Sequence, residues 1–205
     1  MTIWSEWDQL IRQFESYLRI ELSLAGNSVE AYTRDVLKLI QFLQMRNRPV
    51  SPTALVMTDL LDFIEYIHEL DMSAYSQARI LSGIKRFCKY MEFEDLIDTD
   101  PAARIEGPKL GRKLPDTLSL EEINEMMDTI DMSKPEGQRN RAILEVLYSS
   151  GLRVSELVNL TLNNLHFDIG FIRVIGMGDK ERLVPIHQES LKHTRIYIEY
   201  VRCHH

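Results

Sequence analysis

The residues best equipped for chemistry fall within one stretch, Ser149 to Ile186, SSGLRVSELVNLTLNNLHFDIGFIRVIGMGDKERLVPI. Arg153 stands two residues after Gly151, and a glycine-bearing segment with further basic residues, GMGDKER, follows. An arginine keeps its proton and presents a planar fork that donates two parallel hydrogen bonds, the geometry that suits a phosphate or carboxylate. Set between two apolar helical runs, Arg153 is costly to bury unless an anion meets it. An arginine beside a glycine-bearing basic hairpin is a phosphate clamp in outline, and the chemistry of the residues alone goes no further.

The elements that must hold this clamp follow from periodicity. Arg141–Tyr148 (RAILEVLY) is apolar at helical spacing, with Ile143, Leu144, Leu147 and Tyr148 on one side. Ser149, Ser150 and Gly151 interrupt it, a glycine just past the last periodic residue being a helix C-cap signal. Arg153 opens a second helical run in which Val154, Leu157 and Val158 share a face. After Leu165 the pattern alternates: Phe171, Arg173 and Ile175 face one way, Ile172 and Val174 the other. GMGDKE has turn chemistry, and Arg182–Ile186 reads as the returning strand of a hairpin.

SGLRVSELVNL followed by RVIGMGDKERLVPI closely resembles the tyrosine recombinase, or phage integrase, family, particularly its bacterial Xer-type members. The likeness extends over essentially the whole chain. It implies a mainly α protein with a small β-hairpin or sheet, an all-α SAM-like core-binding domain that clamps DNA followed by a partial α/β catalytic domain. It implies site-specific breakage and rejoining of double-stranded DNA through a 3′-phosphotyrosyl intermediate, with no nucleotide and no metal. On this resemblance Arg153 matches the first catalytic arginine. Glu156 matches an acid that orients active-site groups, a solvent-facing helix acid being the alternative reading. The family's catalytic lysine is the middle residue of GKG, where this sequence has Gly176-Met177-Gly178, and methionine cannot donate a proton. Lys180, three positions on, is the candidate substitute. The family's HxxR segment and its late tyrosine do not appear after Arg202. Tyr197 and Tyr200 lie directly after the hairpin, out of place for the nucleophile, so the chain is expected to bind DNA without cleaving it. The parent protein is expected to assemble as a tetramer on paired DNA sites and this chain to be monomeric. A naturally shortened, noncatalytic DNA-binding regulator of recombination sites is the second reading.

The 205 residues are enough for two small domains, and 44% hydrophobic with 27% charged residues is the balance of a soluble globular chain. No apolar run approaches the ~20 residues that span a bilayer. MTIWSEWDQL has no basic segment before an apolar core, so it is no secretory signal. Two cysteines, Cys88 and Cys203, make no disulfide framework and fit a reducing cytoplasm. A net charge of −7 works against nonspecific affinity for nucleic acid, since phosphate neutralisation drives such binding. A local basic face still acts within a Debye length of ~8–10 Å.

Along the chain, a first helix over Ile3–Leu24, closed by Gly26 and Asn27, repeats Trp4, Trp7, Ile11, Phe14 and Leu18. The tryptophans read as core rather than as a platform for bases. Ser28 caps a second helix to about Met45, with Arg34 and Lys38 on its outer side. Thr58 caps a third, Asp59–Leu70, whose acidic face is solvated. Ser73 starts a fourth, running to about Tyr90. Ile80, Leu81, Ile84, Phe87, Cys88 and Met91 share one side of it. Arg79, Arg86 and Lys89 lie opposite, with Lys85 at the margin, and the resemblance turns this basic side toward DNA. Asp98–Thr117, rich in proline and glycine, is the linker region; its bases include Lys109, Arg112 and Lys113. The domains are thus residues 1–106, a linker over 107–117, and 118–205. Ser119 with Glu122 is a capping box, and Gln188–Arg202 is a last helix. His166, His187, His193, His204 and His205 show no metal-ligand spacing.

Overall fold

The computed structural model describes residues 2–111, 114–176 and 180–204. Arg112, Lys113 and Met177, singled out above, lie outside the described residues. The chain divides into two compact units, Met1–Lys113 and Leu114–His205.

The first unit is all helical: α1 (Ile3–Ile20), α2 (Gly26–Met45), a short 3-10 turn (Pro52–Ala54), α3 (Met57–Glu69) and α4 (Ala74–Phe93). Their apolar stripes close on one core in which Trp7, Phe14, Leu18, Leu39, Ile80, Phe87 and Met91 are fully buried. Phe87 stacks on Trp7 with ring centroids 5.8 Å apart and meets Phe14 edge-on at 5.2 Å, and such ring pairs add to the area they bury. Trp7 Nε1 donates to the Val50 carbonyl at 2.8 Å, so this ring is a satisfied core group, while Trp4 is partly buried against the same core. Ala102 and Ile105, beyond α4, also sit in this core; the early part of the proline-rich segment is therefore packed. Further on, the Tyr75 hydroxyl of α4 donates to the Gly111 carbonyl.

Three helix ends differ from the sequence expectation. Helix α1 stops at Ile20, where Ser23 takes a left-handed φ of 49° and the Leu24 N–H returns to the Leu18 carbonyl at 3.0 Å. The reversal is complete before Gly26, so Gly26 and Asn27 begin α2 and Ser28 is not its cap. Helix α3 starts at Met57 because Asp59, in its first turn, accepts from the Val56 N–H at 3.1 Å, displacing Thr58 from that role. Ser73 does cap α4, accepting from the Ser76 N–H at 3.2 Å.

Helices α2 and α4 meet over a buried carboxylate. Asp35, with 1% of its side chain exposed, receives both Nη groups of Arg79, at 2.8 and 2.7 Å. Gly83, one helical turn beyond Arg79, faces the same carboxylate, and a Cβ there would stand 2.4 Å from Asp35 Oδ2 and 2.7 Å from Asp35 Cβ. Rotating the Asp35 side chain cannot relieve the second contact.

The second unit carries α5 (Leu120–Asp128), α6 (Pro135–Ser150), α7 (Val154–Val158), β1 (Leu165–His166), β2 (Phe171–Ile175), β3 (Glu181–Pro185) and α8 (Gln188–Ile196), extended by a π turn (Tyr197–Val201) and a 3-10 turn. The strands form one antiparallel sheet in the order β1-β2-β3, with Ile172 opposite Val184 and Val174 opposite Arg182. Ile172 and Val174 face inward, as their alternation requires, and join Val146, Leu152, Ile186 and Leu191 in a small core. The Ser119–Glu122 capping box forms, at 3.2 and 2.7 Å.

Two helix faces are corrected. The buried residues of α6 include Ala142, Glu145 and Val146, while Tyr148 is 52% exposed. On α7, Val154 and Val158 are exposed and Leu157 packs against the core. The shift on α6 has a polar cause: Glu145 turns inward to accept from Arg141 Nε at 3.0 Å and from the fully buried Ser190 hydroxyl of α8 at 3.2 Å. No helix among the described residues is long and apolar enough to cross a membrane.

Gly83→Ala tests the closeness of α2 and α4. Alanine gains about 1 kcal/mol of helix propensity, but overpacking costs about 1–3 kcal/mol, and here the obstruction is close to backbone. The variant should unfold at a lower urea midpoint than wild type; a higher midpoint would show that the helices have room to part.

Candidate functional site

The turn between α6 and α7 is built to display Arg153. Gly151 ends α6 in the left-handed region, φ 58°, with its N–H on the Leu147 carbonyl at 2.9 Å. A side chain with a Cβ resists that conformation, which is why glycine stands there. Leu152 then anchors in the core, and Arg153 follows in extended conformation with 62% of its side chain exposed.

Behind Arg153 lies Glu156, whose side chain is only 5% exposed. Its Oε2 accepts the Arg153 backbone N–H at 2.9 Å and Arg182 Nη2 at 2.8 Å. Its Oε1 accepts Arg153 Nη1 at 3.0 Å and Arg182 Nη1 at 2.8 Å. The Arg182 guanidinium above all, then the Arg153 backbone N–H, holds the Glu156 carboxyl down at about 2. Glu156 thus accepts four hydrogen bonds and is held as the carboxylate near neutral pH. Of the two readings offered by the sequence, the solvent-facing helix acid is excluded by this burial. Two guanidinium groups against one carboxylate leave the cluster with an excess positive charge, on its exposed Arg153 side.

Arg182 is not among the site residues that the sequence singles out. It lies 26 positions from Glu156, beyond any local period. One signal points to it: in the hairpin register Arg182 is opposite Val174, so the two share the inward face. A charge on an inward face needs a buried partner.

The remaining candidates are distributed differently. Lys180 is exposed at the foot of β3, its carbonyl accepting the Gly176 N–H at 2.8 Å. Arg173, on the outward face, donates from Nε to Asn164 at 3.1 Å and borders a polar recess of about 300 Å³ shared with Glu156, Asn159 and Gly176. In the first unit Arg86, Lys89 and Lys109 are exposed, and Lys38 and Lys85 are half-buried. Arg34 pairs with Glu30, and Lys89 with Glu92 at 2.6 Å, both on the surface. Arg79, its side chain half exposed, donates both Nη groups to Asp35 and so braces α2 against α4. Among the described residues no group of histidine, cysteine, aspartate or glutamate side chains could hold a metal ion. Cys88 and Cys203 are free thiols, and burial pushes Cys88 up.

A four-helix unit followed by a helical unit with a three-stranded antiparallel sheet is the fold of the tyrosine recombinases. It superposes on the crystal structure of the XerH site-specific recombinase bound to palindromic difH substrate with a TM-score of 0.64 at 22% identity, covering 92% of this chain and 58% of that one. Residues 116–204 match the Phage integrase family and residues 11–94 the Phage integrase, N-terminal SAM-like domain. The chain is 33% identical over 195 residues to tyrosine recombinase XerD of Listeria monocytogenes and 37% identical over 199 residues to that of Chlorobaculum tepidum. These alignments cover 95% and 96% of this chain, and 66% and 65% of the relatives' length. The chain belongs to the tyrosine recombinase, or phage integrase, family.

The Glu156 cluster fixes a pH dependence. An unfolded glutamate titrates near ~4.3, above the folded value of about 2. Ionised Glu156 therefore favours the native state above about pH 4.3, and the contribution is lost as pH falls toward 2. Urea midpoints of wild type and Glu156→Gln should differ most at about pH 6 and converge as pH drops below about 4. A gap that stays constant through that window would mean that Glu156 is not held by its arginines.

Proposed function

We propose that these 205 residues bind duplex DNA and hold a phosphate of its backbone on Arg153, as part of a Xer-type site-specific recombinase acting in the cytoplasm. The observation that carries this reading is the exposed Arg153 guanidinium backed by the buried, doubly liganded Glu156. A phosphoryl-transfer transition state gathers charge on nonbridging oxygens, and fixed donors around it contribute strongly. Residues 1–106 act as the DNA clamp, 107–117 as the linker and 118–205 as the arginine-bearing part of the catalytic domain. Family membership supports the DNA partner, and so does the XerH recombinase, which shares this fold and is bound to its difH substrate. Tetrameric assembly on paired sites belongs to this proposal for the parent protein, with the present chain monomeric in solution.

Clamp residues follow from what each cation already touches. Arg86 and Lys89 are exposed on one side of α4, and the partner of Lys89 is a surface carboxylate that a phosphate can replace at little cost. Neutralising both, Arg86→Gln with Lys89→Gln, should flatten the salt dependence of duplex binding by about one unit of slope for each phosphate no longer neutralised. Arg79→Gln should instead lower the urea midpoint and leave the slope alone, because it leaves Asp35 buried and unpaired. Anisotropy titrations at several salt concentrations check both, and an unchanged slope in the double variant removes this face of α4 from the interface.

Strand cleavage needs a nucleophile; Tyr197 is half-buried and Tyr200 exposed in the turn that extends α8, and the family resemblance puts neither in the nucleophile's place. We infer that this chain forms no covalent adduct, even with a nicked duplex that traps the intermediate. A denaturant-resistant protein–DNA band that disappears in Tyr197→Phe or Tyr200→Phe would overturn this and assign the nucleophile.

A further inference from the structure

Arg182 has no assigned part in the chemistry, yet it is the nearest strong donor to Glu156. Its fork closes on the carboxylate with two contacts of 2.8 Å, one to each oxygen. The hairpin is shaped to permit this. A Cβ on Gly176 would meet Arg182 Nη1 at 3.0 Å and Glu156 Oε1 at 3.3 Å, so the end of β2 lies directly against the ion pair. Gly176 also closes on the Lys180 carbonyl at 2.8 Å, and the same few residues thus carry Lys180, Arg182 and the cover over Glu156.

The consequence falls on Arg153. A free carboxylate beside an arginine takes the bidentate geometry, with two parallel N–H bonds, because it is the strongest available. Arg153 makes only one side-chain hydrogen bond to Glu156, from Nη1 at 3.0 Å, since both carboxylate oxygens already face the Arg182 fork. Its remaining guanidinium N–H groups are left to point elsewhere, and its side chain stays 62% exposed. Remove Arg182 and the balance changes twice over. Glu156 gains two vacant acceptor positions that Arg153 can fill, and the local charge drops from one excess cation to none.

We propose that Arg182 is a positioning residue: by occupying Glu156 from the hairpin side it prevents Arg153 from closing on that carboxylate and keeps the outer edge of the Arg153 guanidinium open to an oxyanion, while fastening the β2–β3 hairpin to the turn that carries Arg153. The oxyanion part rests on the reading of Arg153 as the phosphate-receiving group. The fastening part does not.

The test uses the 205-residue chain with isotope-labelled arginine. The Arg153 Nε–Hε resonance and the rotation rate of its guanidinium are followed by NMR, first alone and then on titration with inorganic phosphate. In Arg182→Met the free Arg153 guanidinium should rotate more slowly, locked two-pronged on Glu156, and its response to phosphate should weaken about tenfold, the scale of one charge-assisted hydrogen bond. Arg182→Lys restores charge without the fork and should recover only part of the response. Unchanged amide resonances of Val146, Ile172 and Leu191 report an intact core. If Arg182→Met fails to fold, Arg182→Gln, which removes the charge and the fork but keeps a polar end, should show the same two changes. A variant with an intact core and an unaltered Arg153 signal and phosphate response overturns the proposal. If wild-type Arg153 ignores phosphate while the variants still alter its rotation, positioning by Arg182 stands and the phosphate-receiving role of Arg153 falls.

Discussion

A buried carboxylate must find donors, and the second unit of this protein is arranged around how Glu156 finds them. Its oxygens face a backbone N–H and one guanidinium from the turn at Arg153, and a second guanidinium from β3. Those hydrogen bonds join three pieces of chain: the glycine-terminated end of α6, the short α7 and the hairpin. Of these, α7 and the β3 strand of the hairpin have little core of their own. Helix α7 leaves Val154 and Val158 in solvent, and β3 is largely exposed along its length. The polar cluster supplies what their sparse apolar packing does not.

The first unit uses the same device with a different electrostatic outcome. Asp35 is more deeply buried than Glu156 and also receives a two-pronged arginine, and burial pushes the Asp35 carboxyl up, with Arg79 opposing it. At Glu156 the donors win and the carboxyl is driven down. At Asp35 desolvation is the largest influence and outweighs the hydrogen bonds and charge of Arg79; at Glu156 the Arg182 fork and the Arg153 backbone N–H outweigh it, with the Arg153 guanidinium adding to them. Desolvation and hydrogen bonding shift a carboxyl in opposite directions, and their balance sets the sign. The Asp35 pair therefore acts chiefly through shape, setting the approach of α2 to α4 over Gly83. The Glu156 pair fixes a charge.

Most of this arrangement is legible in the sequence as far as it is local. The Gly151 C-cap, the Ser119–Glu122 capping box, the Ser73 cap and the alternation of Ile172 and Val174 each arise from residues within four positions of one another. The failures share a cause. Ser28 and Thr58 look like caps by type, but the helix starts are set by where α1 finishes reversing and by the Asp59 carboxylate. Glu145 looks like an outward residue of α6 until Ser190, 45 positions later, gives it a reason to turn in. Arg79 and Asp35 are separated by 44 positions, and Arg182 and Glu156 by 26. Ion pairs of that span leave no periodic trace. The GLRVSEL turn and the hairpin identify the family despite this, because a motif records the outcome of such long-range pairings without naming the partners.

The acidic balance of the chain also takes on a physical meaning. A net charge of −7 is awkward for the proposed contact with a polyanion, if each cation is counted as available. Several are not: Arg79, Arg141 and Arg182 are held by Asp35, Glu145 and Glu156, and Arg48 lies 2.7 Å from the buried Asp59. By the same token the carboxylates they hold are offset by those arginines, and each such pair leaves the net charge unchanged. What remains near a given surface is decided by the few exposed groups within a Debye length. At the Arg153 turn that local sum is positive, since Glu156 is cancelled from inside by Arg182. On the proposed reading, the overall charge limits how strongly such a chain associates with nucleic acid at large, while the placement of each arginine against its own carboxylate decides where a phosphate would be received.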